Sequence, residues 1–220
     1  MSDSQMYTVL NAGQSPAQAE FEEKRSRFIG NCWHITASGE VADILSQMHE
    51  QHPKARHIAY AAIWGDSIAN QSERMSDDGE PSGTAGKPIL DCLQQQNLID
   101  TLVTVTRYFG GVLLGSGGLI RAYSTAASKS IQVAQLAQLV PCTLYRCALS
   151  YAQLEMCKRI VADFHGTFEV LDYSDHVEAK ATIPVSQEQA CALRIRQTFN
   201  ATVVPQRVGS MNAAVPVASI

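Results

Sequence analysis

The sequence predicts an α+β protein built from two domains. Strand-like and helix-like periodicities interleave along the whole chain. After Pro141 the pattern restarts, where a helical stretch gives way to alternating strand sequence. The 220 residues, 45% hydrophobic and only 17% charged, carry enough apolar material for one large or two small cores.

The first elements follow from local signals. Phe21, Ile29 and Trp33 lie in segments broken by the basic turn Lys24-Arg25-Ser26-Arg27, which predicts a hairpin. Val41, Ile44, Leu45 and Met48 recur at helical spacing behind Ser38, the predicted N-cap, and Pro53 closes that helix. Residues 57–64 (HIAYAAIW) predict a strand ended by Gly65-Asp66, and the polar stretch 66–82 predicts a long loop. A helix then carries Ile89, Leu90 and Leu93, with Pro88 in its first turn, where a missing N–H is harmless. Residues 102–108 (LVTVTRY) predict a β-branched strand. It runs into Gly110, Gly111, Gly115, Gly117 and Gly118, and then into a helix with the stripe Ile120, Tyr123, Ala127, Ile131 and Ala134.

Beyond Pro141 the order is a strand over 142–150, a helix with Leu154, Cys157, Ile160 and Val161, and strands over 167–173 and 176–184. A helix with Ala190, Leu193, Ile195 and Phe199 and a short strand over 201–204 complete it. This βαββαβ order is the ferredoxin-like, split βαβ arrangement, with two helices on one face of an antiparallel sheet. The tail VGSMNAAVPVASI has no period and is expected to fray. The expected domains are residues 1–138 and 139–220.

Composition removes several function classes. The net charge is −4, and the part before Pro141 has 10 Lys and Arg against 14 Asp and Glu. Neither half has the basic excess expected of a protein that holds nucleic acid by bulk electrostatics, so any such contact has to use a local patch. No run approaches the ~18 apolar residues of a membrane span, and the start MSDSQMYTVL lacks the basic and apolar regions of a secretory signal. A cytoplasmic protein without membrane contact is expected. Cys32, Cys92, Cys142, Cys147, Cys157 and Cys191 include no CxxC pair and sit mostly in apolar contexts, which predicts reduced structural thiols.

Two segments stand apart: SDDGEPSGTAGKP (76–88) and TRYFGGVLLGSGGLIRAY (106–123). Both run from a glycine-rich loop into a helix, whose first amides and partial positive charge suit an anion. The candidate phosphate ligands are Ser82, Thr84, Lys87, Arg107, Gly117, Gly118 and Arg121. Established phosphate motifs fail: Pro81 and Pro88 stand where a Walker A loop needs Gly and Ser or Thr, and Ile120 where a dinucleotide fingerprint needs its last glycine. Glycines serving only turns and close packing are the plainer alternative. Asp77, Asp78 and Glu80, with His57 opening the preceding strand, are candidates for Mg²⁺ binding or acid–base work. Against that stands a solvated loop with an Asx-turn, capped by Ser82 or Thr84. Arg107-Tyr108-Phe109 suit stacking on bases, or a buried aromatic pair with a salt-bridged arginine. No cofactor, metal set or catalytic nucleophile is indicated.

With these residues in view, the sequence resembles the YigZ/IMPACT family. Ala55-Arg56-His57 and the segments 76–88 and 106–123 carry the resemblance, which covers about residues 17–135. It implies a first domain of the βαβ type seen in ribosomal proteins and translation factors. The second would be similar to the C-terminal ferredoxin-like domain of elongation factor G. It further implies regulation of translation initiation, with RNA or the ribosome as partner and translation factors as further partners. Three readings stay open: a translation-associated binding protein, a metal-dependent phosphotransferase or hydrolase acting on a nucleotide, and a protein-interaction adaptor.

Overall fold

The structure, a computed structural model, describes residues 5–10, 15–67 and 70–216. Among the described residues the chain forms two compact units: one runs to Leu139 and takes in residues 214–216, and the other is Val140–Ala213. The expected second domain included residues 214–216, which fall in the first unit instead.

The first unit contains β1 (Met6–Val9), β2 (Ala17–Glu23), β3 (Ser26–His34), α1 (Ser38–Gln51), β4 (His57–Ser67) and β5 (Asn70–Ser76). It continues with α2 (Gly86–Gln95), β6 (Thr101–Tyr108), α3 (Ser116–Gln132) and the start of β7 (Leu136–Leu149). Five strands form an antiparallel sheet in the order β2-β3-β6-β4-β5. Central β6 is buried on both faces: Val103 and Val105 meet α2 and α3 residues such as Leu93 and Tyr123, whereas Leu102 meets Val41 and Met48 of α1. The sheet is thus a middle layer between α1 and the α2–α3 pair. Close approach is built in at Gly30, where a Cβ would stand 2.4 Å from the Ala126 carbonyl oxygen of α3.

Several boundaries differ from the sequence expectation. The hairpin is β2–β3, but its turn is only Lys24 and Arg25, both left-handed at φ 46° and 65°. Ser38 does not cap α1; Ala37 is the N-cap, and the Glu40 carboxylate accepts the Thr36 and Ala37 amides at 2.7 and 3.0 Å. The stretch 66–82 holds β5, whose polar sequence reflects an exposed edge strand paired only with β4. On α3, Leu119, Tyr123, Ala126, Ala127 and Ile131 are buried, while Ile120 is exposed and Ala134 lies past the helix end. β1 was not expected; it pairs with Leu136–Leu139.

The second unit holds the rest of β7, α4 (Tyr151–Asp163), β8 (Thr167–Tyr173), β9 (Val177–Pro184), α5 (Glu188–Thr198) and most of β10 (Gln206–Pro216). Its strand order, β10-β7-β9-β8, is that of the split βαβ sheet, and α4 and α5 close a core of Cys147, Val161, Ala179 and Ile195. Residues 201–204 are a loop rather than a strand, entered through left-handed Asn200 and Ala201. The last strand is β10, so the tail expected to fray is ordered to Pro216. Backbone pairing with β7 holds a stretch whose small side chains show no period; residues 217–220 of that tail lie outside the described residues. All six cysteines are free and buried. No described helix is long and apolar enough to cross a membrane.

Candidate functional site

The site grows from one end of the first sheet. Strand register sets Phe28 of β3 beside Arg107 of β6, and Arg107 beside His57 of β4. Phe28 belongs to the core on the α2–α3 side of the sheet, and strand alternation puts Arg107 and His57 on that side too. Tyr123 of α3 packs edge-on against Phe28, with ring centroids 5.4 Å apart. From the loop before α2, Glu80 reaches this row: its Oε1 accepts from Arg107 Nη1 at 2.6 Å and from the Tyr123 hydroxyl at 2.8 Å. The guanidinium lies over Phe28 and Phe109, 5.6 Å from each centroid. Burial, followed by the neighbouring Glu80 carboxylate, pushes the Tyr123 phenol far above its ordinary range, so it stays a donor.

The acidic cluster is otherwise consumed locally. Asp77 Oδ1 caps the start of α2, accepting the amides of Ala85 and Gly86 at 2.9 and 2.8 Å, and its Oδ2 accepts the Gly83 amide of the preceding loop at 2.8 Å. Partial burial raises the Asp77 carboxyl, but those three amides outweigh it and leave the pKa below the usual carboxylate value. Asp78, left-handed at φ 46°, accepts the Ile58 amide at 2.6 Å, just beyond the last β4–β5 pair. His57 Nδ1 stands 2.6 Å from the Asp78 carbonyl oxygen. A carbonyl only accepts, so Nδ1 carries the proton and Nε2 of the neutral ring is an acceptor.

A cavity of about 420 Å³ opens beside this network. Phe109, Leu113, Leu114 and Leu119 give it apolar walls, while His57, Glu80 and Arg107 supply its polar lining. Arg56 and Ser116 also line it. The bare start of α3 lies here: Gly115 is its N-cap, with no side-chain cap and no acidic residue in the first turn. Leu113 is 82% exposed, and Phe109 and Val112 are exposed beside it. The loop that presents them is anchored at Gly110, where a Cβ would lie 1.9 Å from the Arg25 carbonyl oxygen.

The candidate residues therefore separate. His57, Glu80 and Arg107 meet at one cavity, and segments 76–88 and 106–123 do join there, through Glu80. Lys87 pairs with Asp91 within α2, and the end it flanks is filled by Asp77, so the α2 start is not an open anion site. Thr84 is buried and donates to the Pro81 carbonyl, Ser82 is exposed, and neither caps α2. Gly118 and Arg121 line a separate depression with Phe21 and Lys24, and Gly117 is exposed in the first turn of α3. Among the described residues no three His, Cys, Asp or Glu side chains form a metal-binding group. The sequence assigned no site role to Arg56, Leu113 or the hydroxyl of Tyr123, although Arg56 stands next to His57 and the other two lie in the marked segment 106–123.

Comparison with known proteins places this architecture. Residues 24–131, which hold the whole cavity, match the Impact N-terminal domain. An IMPACT family member of Haemophilus influenzae is 37% identical over 141 residues, covering 64% of this chain and 68% of that protein. The chain belongs to the IMPACT family. Its similarity reaches into the second unit: the IMPACT family member YvyE of Bacillus subtilis is 30% identical over 184 residues, 84% of this chain and 82% of that one. A solved structure, described as an hypothetical protein, superposes on this IMPACT family chain with a TM-score of 0.63 at 26% identity. It covers 93% of this chain and 97% of that one.

Proposed function

We propose that this IMPACT family protein acts in translation as a binding protein, holding a short stretch of single-stranded RNA at the cavity of its first unit. The observation that carries this reading is the pairing of an aromatic and aliphatic cavity with a cationic rim. Phe109, Leu113 and Leu119 offer a surface for one unstacked base. Arg56 and the uncapped start of α3 offer a place for its phosphate. The association with translation comes from the family resemblance. A net charge of −4 fits a small local footprint rather than a long tract.

With only ~2–4 phosphates engaged, the slope of log affinity against log salt is about −1.4 to −2.8 for a single strand. Titrating fluorescent oligonucleotides at several salt concentrations tests this. Arg56→Ala is expected to make that slope shallower by about 0.7 and to weaken all sequences alike. Lys87→Ala, paired and outside the cavity, leaves it unchanged. RNA binding absent at low salt overturns the proposal.

A further inference from the structure

We infer that the cavity is selective for guanine, an inference that rests on the RNA reading above and specifies it. The support is the hydrogen-bonding account of its polar lining. The Glu80 side chain is 3% exposed and that of Arg107 is 7% exposed, yet both line the cavity. Glu80 Oε1 takes both Arg107 Nη1 and the Tyr123 hydroxyl, while among the described residues no donor reaches Oε2. His57 donates Nδ1–H to the Asp78 carbonyl, and in the neutral ring Nε2 is then a second acceptor. Among the described residues the Arg107 guanidinium is hydrogen-bonded through Nη1 alone, and its Nε is buried without a partner.

Two unfilled acceptors and a partly used guanidinium thus border a largely apolar space, with Arg56 and Ser116 also lining it. Such groups favour a ligand that satisfies them and reject one that leaves them unpaired. The free carboxylate oxygen also disfavours a phosphate inside the cavity, which places the base there and the phosphate at the rim. Uracil offers a single donor between two acceptors, and adenine and cytosine each offer one amino group next to an acceptor. Guanine alone presents two adjacent donors, N1–H and the 2-amino group, with O6 beside them as acceptor. In this arrangement the donors go to Glu80 and His57, O6 faces the Arg107 guanidinium, and the ring lies along Phe109.

The test uses a short oligouridine whose central base alone is varied among guanine, hypoxanthine, adenine, cytosine and uracil, titrated against the full chain at low salt. The central guanine is expected to bind about ten-fold tighter than the uracil parent, and hypoxanthine, which lacks only the 2-amino group, to lose several-fold of that gain. Glu80→Gln, checked for folding by its melting curve, is expected to erase the guanine preference, bringing the guanine and hypoxanthine members down to the affinity that the same variant shows for the uracil parent. Phe109→Ala, at an exposed position, is expected to weaken every member and keep their order. Equal affinities across the series, or a preference for another base, overturn the guanine assignment and leave RNA binding standing. Failure to bind any member overturns both.

Discussion

Glu80 and Arg107 stand 27 positions apart in sequence and meet as a buried ion pair. Such a pair adds little net stability, but removing one partner strands the other charge away from water. Glu80→Ala is therefore expected to cost about 3–5 kcal/mol in urea denaturation, and Glu80→Leu with Arg107→Met to recover most of it. A loss in the range of about 0–1 kcal/mol would show the pair to be solvent-screened. Tyr123→Phe removes one hydrogen bond to a charged acceptor and should cost roughly 1.5–3 kcal/mol by the same measurement. In the sequence Glu80 looked like one of three equivalent carboxylates. Their separation depends on the start of α2 for the helix cap, on β4 for the strand-end acceptor, and on β6 and α3 for the ion-pair partner.

At the scale of elements, Asp77 shows how a helix start loses its appeal to a ligand. Its cap makes Asp77→Ala cost about 0.5–2 kcal/mol near neutral pH. The folded-state pKa is depressed, so this contribution is complete above the unfolded value of about 3.9 and is lost as pH falls through the folded value. Wild type and Asp77→Ala should accordingly converge in stability below about pH 4, when followed by denaturation at stepped pH. The β2–β3 turn makes a second case. Lys24 and Arg25 hold left-handed conformations that Asn-Gly adopts more readily. Replacing the pair with Asn-Gly is expected to raise stability by about 1 kcal/mol, seen as a higher Tm. The hairpin was legible because apolar alternation stops at the basic residues; its two-residue length was not, because that is a matter of register.

Across the whole molecule, β7 decides where the chain resists proteolysis. Leu136–Leu139 pair with β1 and Cys142–Leu149 with β9, so Pro141, which has no N–H to give, falls between the two ladders. The change of pattern at Pro141 in the sequence invites cutting there, whereas the continuous strand argues for protection. The first cuts are expected in the exposed loop at Phe109 or Leu113, with mass spectrometry of chymotryptic fragments as the check. Under the RNA reading, oligonucleotide should slow these cuts. A first cut within 136–149 would show that the strand opens readily.

By itself the sequence determined most helices, the central strands and the split βαβ order of the second unit, because periodicity is a local property of neighbouring residues. It also marked both glycine-rich segments, because their composition is unlike that of core or ordinary loop. The edge strand β5 and the terminal strand β10 were decided by tertiary structure, since backbone pairing rather than side-chain pattern holds them. So was the content of the site. Whether a carboxylate or guanidinium is spent or available depends on partners 27 and 43 residues away. Hydrogen bonds act over about 3 Å, and only the folded chain brings such groups within that distance.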